Sequence, residues 1–315
     1  MHNDKSFIIV LVGPTAVGKT EFSIELAKRF NGEIISGDSM QVYKKMNIGT
    51  AKITKDEMDG VPHHMIDIIE PDETFSAYDF KNRAQQLITE ITNRGRVPII
   101  AGGTGLYIQS LIHNYAFEDE SITDEENERV ENKLADLDQL TNEGLHQYLA
   151  AFDSESAQDI HPNNRKRVRR AIQYYLKTKK LLSSRKKVQQ YTENYDTLLL
   201  GIEMSRETLY KRINKRVDIM LERGLLDEVR QLIEVGYESC QSMQAIGYKE
   251  MLPVVKSDAN LDDATNKLKQ HSRNYAKRQM TWFKNKLDVV WLDKEKMSLP
   301  LMLDEVSVQI KKRST

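Results

Sequence analysis

The chain has 315 residues, of which 39% are hydrophobic and 30% charged, with a formal net charge of −1. This composition indicates an ordinary globular protein, long enough for one large domain or two smaller ones. The single cysteine, Cys240, excludes an internal disulfide framework, and we expect a reducing, cytoplasmic setting. The sequence has no run near the roughly 20 apolar residues of a membrane span, and its N-terminus lacks a signal-peptide pattern.

Strands and helices are predicted to alternate along most of the chain. Short apolar runs typical of buried strands are SFIIVLVG, GEIISGDS, RVPIIAGG, TLLLGIEM and LDVVWLD. Helical periodicity follows the first run, where Phe22, Leu26 and Phe30 share a face, and again in SAYDFKNRAQQLITEITNRG. This order predicts an α/β fold in which helices flank a parallel sheet.

The pattern changes after about His113, and no convincing strand occurs before about Tyr195. This stretch is acidic over 118–138 and then basic over 165–187, where no acidic residue occurs. The basic run fits either a solvated helix face or a surface that follows phosphates. We therefore predict a core made of residues 1–115 and 196–315, interrupted by a helical insertion domain over residues 116–195.

The stretch GPTAVGKT has the spacing of a phosphate-binding loop, with a predicted strand before it and a helix after it. Glycines let backbone N–H groups converge on an anion, and the helix N-terminus adds partial positive charge. Lys19 adds a full charge, and the Thr20 hydroxyl is a candidate ligand of Mg²⁺. The predicted phosphate-binding residues are Gly13, Pro14, Thr15, Ala16, Val17, Gly18, Lys19 and Thr20.

A nucleoside triphosphatase usually holds its metal with an acid at the end of an apolar strand, and the third predicted strand does not supply one. The third predicted strand ends in glycines and Thr104, and the nearest acid at a strand end is Asp38. Because parallel strands end at one edge of the sheet, we expect Asp38, Thr104 and the phosphate loop to converge. Asp38 could be a metal ligand, a general base or a helix N-cap.

Several stretches together resemble the bacterial tRNA dimethylallyltransferases over roughly residues 7–295. They occur in the family's order: GPTAVGKT, GEIISGDSMQVYKKMNIGTAK, IIAGGTGLYIQSL, HPNNRKRVRRAI, AIGYKE and RNYAKRQMTWFK. The resemblance implies a P-loop NTPase-like core whose helical insertion domain binds the tRNA anticodon arm. It implies transfer of a dimethylallyl group from dimethylallyl diphosphate to N6 of adenosine 37, in tRNAs that read codons starting with U, with Mg²⁺ as cofactor. We also expect a monomer without a membrane partner.

The same resemblance implies roles for particular residues. Asp38 would be the general base, and Thr104 would help to stabilise the diphosphate or the reacting centre. Lys19, Thr20 and Arg216 would hold the diphosphate as it leaves. The implied tRNA-binding residues are Asp38, Ser39, Met40, Gln41, Thr104, Lys166, Arg167, Val168, Arg169, Arg170, Gln244, Gly247, Tyr248 and Lys249.

Some of these roles have alternatives. Core packing is an equal alternative for Tyr248, and also for Trp282 and Phe283 in the last motif. The pair His63–His64 favours a structural or tRNA-facing role over a metal site, because no further ligand stands at metal-binding spacing.

Two other functions compete with prenyl transfer. One is a P-loop kinase of a nucleoside or small metabolite, with Asp38 as base toward a hydroxyl. The other is a non-catalytic RNA-binding module with a vestigial phosphate loop. The basic insert and the conjunction of motifs argue against the kinase, and the intact Lys19, Asp38 and Thr104 argue against the vestigial loop.

Overall fold

The computed structural model describes residues 5–113, 115, 122–184, 194–257 and 259–313. The chain divides into two compact units. The core unit consists of Met1–Asn114 with Glu193–Thr315, and the insertion unit is Tyr115–Thr192.

A six-stranded sheet, counted over the described residues, forms the centre of the core unit. Its strands are β1 (Phe7–Val12), β2 (Gly32–Ser36), β3 (His63–His64), β4 (Val97–Gly102), β5 (Asp196–Glu203) and β6 (Val290–Asp293). The spatial order is β3-β2-β4-β1-β5-β6, and all neighbours pair in parallel. The prediction of a parallel α/β fold is confirmed. Strand β2 ends at Ser36, two residues before the predicted end, and the edge strand β3 was not predicted.

Helices surround the sheet and build the insertion unit. In chain order they are α1 (Lys19–Arg29), α2 (Ala77–Asn93), α3 (Gly105–Ile112), α4 (Asp124–Leu137), α5 (Asn142–Ala150), α6 (Ser154–Asp159), α7 (Arg165–Thr178), α8 (Arg206–Glu222), α9 (Leu225–Glu234), α10 (Tyr248–Ser257), α11 (Leu261–Lys286) and α12 (Leu299–Arg313). A 3₁₀ turn covers Gln241–Gln244. Across the described residues, we find no helix with the length and apolar character that a membrane crossing requires.

The two faces of β1 bury alternate side chains in two separate parts of the core. Ile9 and Leu11 pack in the cluster that contains Phe22 of α1. Ile8 packs on the opposite face, in the cluster that contains Phe80 of α2. Burial on both faces explains why the central strands read as continuous apolar runs. The carboxyl end of β1, where the phosphate loop begins, is therefore packed between two parts of the core.

The insertion unit has a hydrophobic core of its own, in which Leu134 of α4 packs with Val168 of α7. Among its described residues, helices are present and strands are not. Part of the basic run is paired with the acidic run, since Arg169 Nε lies 2.9 Å from Asp138 Oδ2. The start of the acidic run, residues 118–120, and the end of the basic run, residues 185–187, lie outside the described residues.

Candidate active site

The phosphate loop connects β1 to α1 as predicted. Gly18 forms the N-cap of α1 with φ 104°, a left-handed conformation that favours glycine. A Cβ atom at Gly13 would lie 2.9 Å from the Ile202 carbonyl oxygen, so the loop requires a glycine there as well. The loop therefore exposes its backbone at a helix N-terminus, where anions bind.

Lys19 is the first residue of α1, and its side chain folds over the loop. Its Nζ donates to the carbonyl oxygens of Gly13, at 2.9 Å, and Pro14, at 2.8 Å. Burial lowers the pKa of Lys19 to about 8, with nearby Asp38 opposing the shift and Arg216 adding to it. Lys19 is therefore a cation whose charge responds to pH near neutrality.

Helix α8 brings further cations to the loop. Arg216 Nη1 lies 3.4 Å from Thr15 Oγ1, and Arg212 Nε donates to the Ala16 carbonyl oxygen at 2.8 Å. Arg212, Lys215 and Arg216 share one helical face, because they stand three and four residues apart. Only Arg216 was predicted, although the spacing in RINKR is the signal for all three.

Asp38 and Thr104 follow neighbouring strands at the same edge of the sheet. Asp38 Oδ1 accepts from the Met40 backbone N–H at 2.8 Å. Thr104 Oγ1 accepts from the Ser39 backbone N–H at 3.1 Å, so the two loops are tied together. No helix begins beside Asp38, and the helix N-cap alternative is therefore wrong. The prediction that Asp38, Thr104 and the phosphate loop lie close together at one edge of the sheet is confirmed.

Two cavities meet at this edge. The phosphate cavity, of about 580 Å³, is lined by Lys19, Thr20 and the α8 cations, and by Gln41. The second cavity, of about 340 Å³, is lined by Ser39, Met40, Gln244, Lys249 and Arg278. The residues that line both cavities are Thr15, Asp38, Thr50, Arg216 and Tyr275. Asp38 is the carboxylate in this shared set.

Helix α11 contributes two site residues that the sequence reasoning missed. Tyr275 lies beside the side chains of Thr104 and Gln279, and burial together with Asp38 raises its pKa to about 12. Gln279 bridges two loops, accepting from Thr15 N at 2.9 Å and donating to the Gly103 oxygen at 2.9 Å. Their spacing of four residues within RNYAKRQMTWFK was the available signal.

Two predicted RNA contacts fall on buried side chains. Val168 is 0% exposed in the insertion unit, so the prediction that its side chain binds RNA is wrong. Tyr248 is also 0% exposed and donates to Glu228 Oε1 at 2.6 Å, so core packing is the correct alternative. Phe283 is likewise a core residue, whereas Trp282 is partly exposed beside Gly105.

The other predicted RNA contacts have mixed environments. Gly247 is buried with φ 107°, and its N–H donates to Glu250 Oε2 at 2.8 Å. On α7, Lys166 and Arg167 are exposed. Arg169 pairs with Asp138, and Arg170 Nη1 donates to Gln173 Oε1 at 3.2 Å. Lys166, Arg167 and Arg170 are therefore exposed cations near the start of α7, and Lys166 and Arg167 lie in its first turn.

Metal-binding groups are sparse around the site. Within the described ranges, no group of three or more His, Cys, Asp or Glu side chains is placed to hold a metal ion. His63 Nδ1 lies 2.8 Å from the Val61 carbonyl oxygen, and His64 Nε2 lies 2.6 Å from Glu33 Oε2. These contacts support the structural role of the histidine pair. Thr20, which lines the phosphate cavity, stays the candidate ligand for Mg²⁺.

The fold and site define a P-loop protein that places a carboxylate between a phosphate cavity and a second cavity. The IPP transferase family model matches residues 41–286. A Staphylococcus saprophyticus protein named tRNA dimethylallyltransferase is 81% identical over 315 residues, covering 100% of both chains. The crystal structure of tRNA delta(2)-isopentenylpyrophosphate transferase from Staphylococcus epidermidis is 69% identical, with a TM-score of 0.73, covering 98% of this chain and 100% of that one.

A more distant structure, of a eukaryotic dimethylallyltransferase acting on tRNA, is 34% identical with a TM-score of 0.77. The match covers 91% of this chain and 74% of that one. The chain belongs to the IPP transferase family. The kinase and the non-catalytic RNA-binding module are therefore the wrong alternatives.

Proposed function

We infer that the protein is a tRNA dimethylallyltransferase, which transfers the dimethylallyl group of dimethylallyl diphosphate to N6 of adenosine 37. The acceptors are tRNAs that read codons starting with U, and the products are N6-(dimethylallyl)adenosine and diphosphate. One observation supports this proposal most strongly. Asp38 lies where the phosphate cavity meets the second cavity, so a prenyl carbon from one side can meet an amine from the other.

The phosphate cavity suits a diphosphate leaving group. As the bond between C1 of the allyl group and the diphosphate oxygen breaks, the oxygen keeps the electron pair. The N–H groups of the loop, the Lys19 ammonium and the Arg216 guanidinium stabilise this growing negative charge. Arg212 and Lys215 line the same cavity and add to its positive potential.

The second cavity suits the target adenine. A stacked adenine cannot reach the allyl carbon, so the base must leave the stack and enter the cavity. The N6 nitrogen then forms the bond to C1, and one N6 proton passes to the Asp38 carboxylate. Ser39, Met40, Gln244 and Lys249 line this cavity and are the proposed contacts to the RNA.

Mg²⁺ is the proposed cofactor. The Thr20 hydroxyl lines the phosphate cavity and is the kind of oxygen ligand that Mg²⁺ accepts together with diphosphate oxygens and water. When bound, Mg²⁺ neutralises part of the charge on the diphosphate. Because the described residues hold no carboxylate cluster, the diphosphate itself would supply most of the negative charge around the ion.

The insertion unit is proposed to bind the anticodon arm through exposed cations of α7. RNA recognition of this kind depends on charge and shape, which Lys166 and Arg167 can supply at the helix start. We further propose that the enzyme acts as a cytoplasmic monomer.

A direct assay tests the proposal. The protein is incubated with dimethylallyl diphosphate, Mg²⁺ and an anticodon stem-loop carrying three adenosines centred on position 37, and the mass of the RNA is measured by mass spectrometry. The expected result is a gain of one dimethylallyl unit. A matched stem-loop with guanosine at position 37 should gain nothing. An unchanged RNA mass accompanied by ATP consumption would contradict the proposal.

A further inference from the structure

The buried amide of Gln279 joins two loops of the site. Gln279 projects from α11 and is only 6% exposed. Its Oε1 accepts from the Thr15 backbone N–H at 2.9 Å, and its Nε2 donates to the Gly103 carbonyl oxygen at 2.9 Å. Thr15 belongs to the phosphate loop, and Gly103 directly precedes Thr104. One side chain therefore connects the loop that holds phosphate to the loop that carries Thr104.

An amide is the group this position requires. The Thr15 N–H needs an acceptor and the Gly103 carbonyl needs a donor, and a glutamine side chain supplies both. The Gly103 contact is buried and the Thr15 contact half-buried. A buried backbone group without its partner is costly, so these contacts hold the two loops together. Gln279 also lies beside Tyr275, which lines both cavities.

The space around Gly103 is fitted to this amide. A Cβ atom at Gly103 would lie 2.1 Å from Gln279 Nε2, closer than any real contact. The backbone at Gly103 is outside the left-handed region, so alanine is compatible with its conformation. The absence of a side chain at 103 therefore makes room for the Gln279 amide.

We propose that Gln279 is a positioning residue for prenyl transfer. Its amide fixes the separation between the phosphate loop and the Thr104 loop, so that the leaving diphosphate and the Asp38–Thr104 side of the site stay aligned. Small errors in alignment of reacting groups cost large factors in rate. This role rests on the proposed function, because it concerns the alignment of the same two substrates.

The first test replaces the amide. Gln279→Ala is expected to lower kcat on the order of 100-fold, while the KM for dimethylallyl diphosphate and the Kd for the stem-loop change by less than about threefold. Gln270→Ala is the matched control, because Gln270 is an exposed glutamine of the same helix. It should keep kcat within about twofold of the unmodified protein, as surface substitutions usually do.

The second test reaches the same contact from the opposite side. Gly103→Ala should displace the amide and lower kcat by a similar factor. Once Gln279→Ala has removed the side chain, the added methyl group has space. The double variant should therefore be no slower than the slower single variant, a non-additivity that a general loss of folding would not produce.

Three results would overturn the inference: a Gln279→Ala kcat within about threefold of the unmodified protein, a rise in KM with kcat unchanged, or single losses that multiply in the double variant. If Gln279→Ala does not fold, Gly103→Ala decides alone, and a kcat within about threefold of the unmodified protein contradicts the role. Failure of the unmodified protein to prenylate the stem-loop would instead reject the proposed function.

Discussion

Asp38 combines a structural contact with the proposed chemical role, and the two can be separated by one substitution. Its Oδ1 accepts from the Met40 backbone N–H at 2.8 Å, which shapes the loop after β2. An asparagine keeps an oxygen acceptor for this N–H but cannot take a proton from the adenine amine. Asp38→Asn thus removes the base while preserving the turn.

We expect Asp38→Asn to lower the single-turnover rate of prenyl transfer by about 100- to 10,000-fold. Binding of the stem-loop, measured by fluorescence anisotropy, should stay within about twofold of the unmodified protein, because the loop is preserved. Asp38→Ala should also bind RNA and lose transfer. A near-normal rate in the asparagine variant would show that Asp38 is not the base.

The pH response of Lys19 follows from its environment. Burial lowers its pKa to about 8, so the ammonium is present below that pH and is lost above it. The affinity for inorganic diphosphate should therefore fall as pH rises from about 7 to about 9.5, by at most about tenfold per unit above the pKa. Bound diphosphate favours the ammonium, so binding near the pKa of Lys19 should also take up protons.

Isothermal titration calorimetry in two buffers of different ionisation enthalpy measures both effects. Diphosphate itself titrates, so Lys19→Met is the reference: it should bind more weakly, and it should lack the decrease in affinity that belongs to the lysine. Equal pH profiles for the two proteins would exclude Lys19 as the titrating group.

At the scale of elements, α9 anchors a loop that reaches the second cavity. Glu228 is 8% exposed and accepts backbone N–H bonds from Asn47 at 2.9 Å, Ile48 at 2.8 Å and Gly49 at 3.0 Å. The Tyr248 hydroxyl donates to the same carboxylate at 2.6 Å. Gly49 lines the second cavity, so a core residue of α9 holds part of its wall.

Glu228→Gln tests this anchor. An amide presents an NH₂ group where only donors face it, so one or more buried N–H groups lose their acceptor. We expect a decrease of about 1–3 kcal/mol in the free energy of unfolding, measured by urea denaturation. Glu234→Gln makes the same change at an exposed position of α9 and should stay within about 0.5 kcal/mol. Equal stability of both variants would contradict the anchor.

At the scale of the whole molecule, sequence patterns predicted what depends on local periodicity. The central strands are buried on both faces and read as apolar runs, and the phosphate loop has a fixed spacing. Strand β3 was missed because two residues are too few to show the alternation of apolar and polar side chains that predicts a strand. Gln279 was missed because its partner Thr15 is 264 positions away in the chain. The four-residue spacing from Tyr275 indicates a shared helical face but does not reveal that partner.

Val168 is an error of the opposite kind, because a local pattern led to a predicted contact that the structure does not support. It stands among basic residues, and the family resemblance assigned the whole stretch from Lys166 to Arg170 to RNA. Within α7, however, Val168 belongs to the buried stripe that also contains Ala171 and Ile172. Helical geometry therefore divides the run into core, ion-paired and exposed positions, a division that the composition of the run does not reveal.

This division of α7 predicts which cations contribute to RNA binding. Arg165 and Arg169 face acidic partners, with Arg169 Nε 2.9 Å from Asp138 Oδ2 and Arg165 Nη2 3.7 Å from Asp138 Oδ1. Lys166 and Arg167 are exposed on the same helix. A cation that already has a carboxylate partner releases fewer counterions on binding RNA. Lys166 and Arg167 should therefore contribute more to the salt dependence than Arg165 and Arg169.

The Lys166→Ala/Arg167→Ala double variant should therefore bind the stem-loop more weakly at low salt, with the difference shrinking as salt rises. Each phosphate that the protein no longer neutralises reduces the slope of log Kobs against log salt concentration by about 0.7–0.9. The double variant should therefore be less steep by roughly 1.4–1.8. Lys133→Ala removes one exposed lysine from acidic α4 and should leave the slope unchanged. Equal slopes for the double variant and the unmodified protein would show that these cations do not contact phosphates. The RNA would then bind somewhere other than the start of α7.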